Sequence, residues 1–145
     1  MSSAPFDTAP VIARVREQVT ALRAVEGAAS FAAVQNLRDF VVPGAYVVLT
    51  RERPDNQEPR GGRQRAIVTL GVVVAVRNYR DVTGGELKDA LNPILNGVRN
   101  ALIGWTPPEQ GARPMKWAGG DVIDYDDNTL LWGDVFQTQH FIGAA

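Results

Sequence analysis

Residues 66–81 read AIVTLGVVVAVRNYRD. Ile67, Val68, Leu70, Val72, Val73, Val74 and Val76 make the run nearly continuous in apolar, mostly β-branched side chains. A strand with one wet face alternates in polarity, whereas a strand covered above and below does not, so this spacing predicts a central strand buried on both faces. Polarity changes abruptly at Arg77, Asn78, Arg80 and Asp81, and Gly84-Gly85 interrupt the chain before a pattern of helical period begins. Strand, polar exit and helix form one unit against which the remaining segments bury their apolar faces.

On the N-terminal side, Val11, Ile12, Val15, Val19 and Leu22 recur at intervals of three and four, while Arg14, Arg16, Glu17, Gln18 and Arg23 fall elsewhere. This predicts a docking helix capped by Asp7 or Thr8, with Pro10 in its first turn and Gly27 as its stop. Residues 30–37, SFAAVQNL, predict a turn or two of helix, and residues 45–50, AYVVLT, a strand paired with the central one.

Between these two strands lie residues 51–65, RERPDNQEPRGGRQR, with two prolines, two glycines and almost nothing apolar. Such a stretch lacks the surface to bury itself and is expected as a protruding, flexible hairpin loop. Arg51, Arg53, Arg60, Arg63 and Arg65 outnumber Glu52, Asp55 and Glu58 within it. Two readings stand: an arm that binds a partner or phosphates and orders on assembly, and a solvated linker.

On the C-terminal side, Leu87, Ala90, Leu91, Ile94, Leu95, Val98, Ala101 and Leu102 keep a helical stripe up to Gly104. Asn92-Pro93 predict a restart or a kink with the apolar phase preserved. After an irregular stretch to Met115, WAGGDVIDY and TLLWGDVFQTQHFI flank Asp126-Asp127-Asn128 and predict a terminal β-hairpin. In its second arm neither Leu131, Gly133, Val135 and Gln137 nor Leu130, Trp132, Asp134, Phe136 and Thr138 form a polar side. Helices over one side and a neighbouring subunit over the other are the expected covers.

The expected fold is therefore α+β. It is a single domain over residues 1–145, with an antiparallel or mixed sheet, two main helices on one face and a terminal β-hairpin.

The remaining signals exclude more than they assign. Lys plus Arg number 15 against 16 Asp plus Glu, so no global charge draws the chain to nucleic acid or an anionic membrane. The absence of cysteine removes disulfides, thiolate nucleophiles and cysteine-ligated zinc. The N-terminus has no basic region before an apolar core, and no membrane-spanning apolar run occurs, so synthesis in the cytoplasm without export is expected. Gly84-Gly85 and Gly119-Gly120 lack phosphate-loop spacing and read as backbone devices. Asp121, Asp124, Asp126, Asp127 and Asp134 do not follow the calcium-loop register. His140, the one histidine, has no nucleophile motif to serve. No catalytic residue, metal or cofactor is expected. Trp105 reads as core, while Trp117 and Trp132 suit a core or an interface equally.

Six pieces, in order, resemble the tail terminator, or tail completion, proteins of long-tailed bacteriophages. They are VIARVREQVTALRAVEG, SFAAVQNL, PGAYVVLT, GVVVAVRNYRD, ALIGWTPP and WAGGDVIDYDDNTLLWGDVFQT, and together they span nearly the whole chain. Each is ordinary alone; order and spacing carry the likeness, and Asn92-Pro93 in the second helix departs from it. The resemblance implies a small protomer of a hexameric ring in the virion, at the head-proximal end of the tail. Its partners would be other copies of itself, the tail tube protein and a neck or head-completion protein, with DNA only passing through the lumen and no membrane involved. Interface residues expected on this basis are Arg51, Arg53, Arg60, Arg63 and Arg65 in the loop, and Trp117, Trp132 and Phe136 in the hairpin. A neck or head-completion protein is the nearest alternative. A metal-dependent hydrolase using the hairpin aspartates and a single-strand-binding module using Trp117, Trp132 and Tyr125 are more distant ones.

Overall fold

The central strand is β3, Arg63–Arg77, and it sits in the middle of a five-stranded sheet ordered β1-β2-β3-β5-β4. The structure is a computed structural model that describes residues 2–77 and 85–143. The predicted polar exit beyond Arg77, the glycine break at Gly84 and the side chain of Leu87 lie outside what is described. The other strands are β1, Ala24–Gly27; β2, Gly44–Pro54; β4, Lys116–Tyr125; and β5, Thr129–Gly143. β1 runs parallel to β2, and every other neighbouring pair is antiparallel, so the sheet is mixed and the fold α+β.

Two helices cover one face. In α1, Ala9–Gln18, Val11 and Val15 are fully buried, and in α3, Gly85–Leu102, the buried stripe is Leu91, Ile94, Leu95, Val98, Ala101 and Leu102. Both pack with Val68, Leu70, Val72, Val74 and Val76 of β3 and Phe136 of β5 into the main core. Pro93 lies inside one continuous α3 rather than at a restart. Gly104, at φ +83°, turns the chain out of that helix, and its N–H bonds back to the Met115 carbonyl.

Alternate side chains of β3 point the other way. Val73 and Ala75 meet Tyr46, Leu131 and Phe40 in a second cluster, with Phe31, Val34, Leu37 and Val42 packed against it. These come from α2, Ala28–Ala33, from a short 3-10 turn, Leu37–Asp39, and from the chain around them. The two-sided burial predicted for the whole strand therefore holds only for residues 72–76, which are all buried. Earlier in β3 burial alternates, because α2 and its neighbours are too short to reach that far. On β5, where a neighbouring subunit was the expected cover of one side, Leu131 lies in this same cluster and is covered by the chain itself.

Two boundaries differ from expectation. The first helix stops at Gln18, not Gly27, because Ala24–Gly27 is drawn off to pair with Gly44–Val47, burying Val25. The arginine-rich loop is also shorter than 51–65. β2 continues to Pro54 and β3 begins at Arg63, since Arg51, Glu52, Arg53 and Pro54 pair with Thr69, Val68, Ile67 and Ala66. Composition marked these residues as unable to bury surface, but ladder hydrogen bonds beside an existing strand need little burial.

The hairpin of β4 and β5 turns at Asp126, whose Oδ1 accepts hydrogen bonds from the N–H groups of Asn128 and Thr129. Phe136, expected between protomers, is fully buried within the core of the single chain. Its register partner Trp117 stands outside it on β4. Phe136→Ala should therefore destabilise the isolated protomer by about 3–5 kcal/mol in urea denaturation. A loss below about 1 kcal/mol would contradict its core placement.

Candidate interaction surfaces

An acid in the middle of an apolar strand must be paired or neutral. Asp134 of β5 is wholly buried and receives four hydrogen bonds. Arg99 of α3 donates from Nε to Oδ2 at 2.7 Å and from a terminal nitrogen to Oδ1 at 2.8 Å. The indole N–H groups of Trp132 and Trp117 reach the same Oδ1 at 2.8 and 3.3 Å. Arg99 also lies 5.0 Å over the Trp117 ring, adding a cation–π contact. The bidentate bond to Asp134 pushes the Arg99 guanidinium above its already high ordinary pKa, with burial opposing.

Gly120 leaves room for this node. A Cβ there would come within 2.5 Å of Asp134 Oδ1 and 3.0 Å of the Trp132 ring. Helix, edge strand and inner strand are thereby locked together by one carboxylate. Trp132 is half-buried against the main core, whereas Trp117 remains 46% exposed.

Beyond Trp117, β4 exposes Val122, Ile123 and Tyr125. Among the described residues β4 pairs only with β5, which makes it an edge strand. Register places Trp117, Val122 and Tyr125 opposite Phe136, Trp132 and Leu130, on the helix-bearing side of the sheet. Clustered apolar side chains at an open edge are the usual mark of a protein contact. Register shifts after Trp117 and Val122, together with Asp121 and Asp124, discourage indiscriminate strand pairing there.

The five loop arginines separate into two groups. Arg60, Arg63 and Arg65 line a pocket of about 330 Å³ that also holds Asp55 and Glu58. Arg63 and Arg65 stack on Phe141 at 5.0 and 4.5 Å, and Arg65 donates to the Gly111 carbonyl and to Gln139 Oε1. Arg51 and Arg53, by contrast, stand exposed on β2, opposite Thr69 and Ile67, with no acid partner among the described residues.

His140 is buried, its Nε2 2.8 Å from Glu52 Oε1 and its ring edge-on to Phe6. The same Glu52 oxygen accepts the Phe6 N–H, so this histidine fastens the N-terminal segment to the sheet. The hairpin aspartates do not converge: Asp126 closes the turn, Asp134 binds Arg99, and Asp124 accepts the N–H of Tyr125. Among the described residues no group of three or more His, Asp or Glu is placed to hold a metal ion.

The Asp134 node left one signal in the sequence, an acid inside an apolar run. Its partner Arg99 left none, since a charge on a helix ordinarily faces water. Among the described residues, four of the six exposed large apolar side chains, Trp117, Val122, Ile123 and Tyr125, stand on the edge strand β4, which suits that strand to protein contacts.

A family model described as phage tail terminator protein matches residues 1–145, and the chain belongs to that family. It is thus a structural component of the virion tail. A chain from the virion of a native gene transfer agent particle has the same fold, with a TM-score of 0.54 at 14% identity. That likeness covers 94% of this chain and 98% of the other. No curated protein matches.

Arg99→Met would leave the buried Asp134 without its cation and should cost about 3 kcal/mol, near the low end for a broken buried pair because the arginine is partly exposed. Urea denaturation reads this directly. A loss under about 1 kcal/mol would mean that the pair behaves like a surface salt bridge.

Proposed function

We propose that this protein caps the head-proximal end of the tail tube as a homo-oligomeric, hexameric ring, stops tube growth and offers the docking surface for the neck or head. Family membership over the full chain carries this reading. Closed rings need heterologous contacts, in which one face of a protomer meets a different face of the next. The patch of Trp117, Val122 and Tyr125 supplies one such face, with Ile123 turned to the other side of the same strand over Gly133. It is apolar, lies at an open edge and is braced from beneath by the Asp134 node. The exposed loop arginines Arg51, Arg53, Arg60 and Arg63 serve contacts with the tube, the neck or the lumen, while Arg65 is already engaged with Phe141, Gly111 and Gln139. No catalytic step is part of this role.

Val122→Lys and Tyr125→Lys alter exposed side chains and should change protomer stability by no more than about 0.5 kcal/mol. Both should nevertheless yield overlong, headless tubes in negative-stain micrographs of particles assembled with the variant, as should deletion of the gene. Tails of normal length that fail to join heads would instead assign the protein to the neck.

A further inference from the structure

One part of the sheet face opposite the helices has no cover from the described chain and carries charge of a single sign. Register aligns Arg51, Thr69, Gln137 and Lys116 in one row across β2, β3, β5 and β4. The next row is Arg53, Ile67 and Gln139, and Arg113 joins it through the bond from its N–H to the Gln139 carbonyl. Directly opposed residues of paired strands share a face. The rows therefore build one surface, with basic side chains at both flanks and, between them, the neutral amides of Gln137 and Gln139, the Thr69 hydroxyl and the half-buried Ile67. Arg53, Arg113, Lys116, Gln137 and Gln139 border a depression of about 190 Å³ there.

We infer that this face binds the phosphate backbone of duplex DNA without reading its sequence. Arg51, Arg53, Arg113 and Lys116 are all exposed, and none has a carboxylate within salt-bridge reach among the described residues. Glu52 lies between the two β2 arginines in sequence but points through the sheet to His140. The row from Arg51 to Lys116 crosses three strand spacings, about 14 Å. That is on the scale of the roughly 12 Å major groove, so phosphates can be met from both flanks. Gln137, Gln139 and Thr69 add neutral donors of the kind that bond phosphate oxygens.

Two other occupants fit less well. A protein partner would need an apolar anchor, but the one apolar side chain in these rows, Ile67, is half-buried, and the exposed large apolar side chains among the described residues, Val41, Ile103, Trp117, Val122, Ile123 and Tyr125, lie outside them. A single strand would need stacking platforms. Phe141, the aromatic ring nearest this face, is already covered by Arg63 and Arg65 and packed against Gly111. The inference stands on the sheet face alone and goes beyond tail capping.

The test is fluorescence anisotropy of a labelled short duplex DNA titrated with the purified full chain over a range of salt concentrations. Non-specific binding in the range of about 10⁻⁴–10⁻⁶ M is expected, weakening steeply as salt rises. The triple variant Arg53→Gln, Arg113→Gln, Lys116→Gln should lose at least about tenfold in affinity at low salt and flatten the log–log salt slope by about 3. Arg51→Gln alone, a milder change should the triple variant fold poorly, should flatten it by about 1. Arg60→Gln at the hairpin tip should leave the slope unchanged.

Absence of salt-dependent binding at low salt would overturn the inference, as would equal sensitivity to Arg60→Gln. Polyglutamate bound as tightly as the duplex, and lost in the same triple variant, would overturn it in favour of an acidic protein partner. A triple variant that loses DNA binding yet still gives tails of normal length would separate this role from capping.

Discussion

Residues 72–76 of the central strand are apolar on both sides, and the rest of the architecture answers that constraint. One layer of helices can cover only one face of a sheet, so a second cover is required. α1 and α3 bury Val72, Val74 and Val76, while α2 and the turn after it bury Val73 and Ala75. The second cover is small. Its short reach divides the far face into a sealed end and an open end, and the open end holds the uncovered polar and basic side chains.

The Asp134 node solves a different problem. An edge strand held only by one ladder is prone to fray or to pair with whatever approaches it. Here the edge is tied inward by side chains, through Trp117 to Asp134 and from there to Arg99 of α3. A shifted register would strand the buried carboxylate without its donors, at the cost of an uncompensated buried charge. The apolar patch on β4 is thus presented from a braced strand, as a surface for rigid assembly should be.

Function divides along these lines. The protein belongs to the phage tail terminators, structural components of the virion tail. The helix-bearing side of the hairpin edge offers apolar contact, and the open end of the opposite face offers like charge and neutral donors. The two surfaces differ in chemistry because they differ in depth of cover. Arg63 and Arg65 sit on Phe141 beside Asp55 and Glu58, while Arg51 and Arg53 have no such company.

The central strand, both main helices and the terminal hairpin were legible in the sequence because each rests on a local period of apolar side chains, which needs no partner to be recognised. The same reasoning extended the first helix to Gly27 and turned residues 51–65 into loop, because short strands such as Ala24–Gly27 exist through pairing that leaves no periodic mark. The order of segments also carried the family likeness. Tertiary structure alone decided that Phe136 lies inside while Trp117 lies outside. It alone brought Arg99 to Asp134 across 35 residues and set Arg51, Arg53, Arg113 and Lys116 on one face. Sequence by itself determined which segments are helix or strand and which stripe of each is apolar, since those follow from neighbours along the chain. What each polar side chain meets depends on register between strands distant in sequence, and only the folded sheet supplies that.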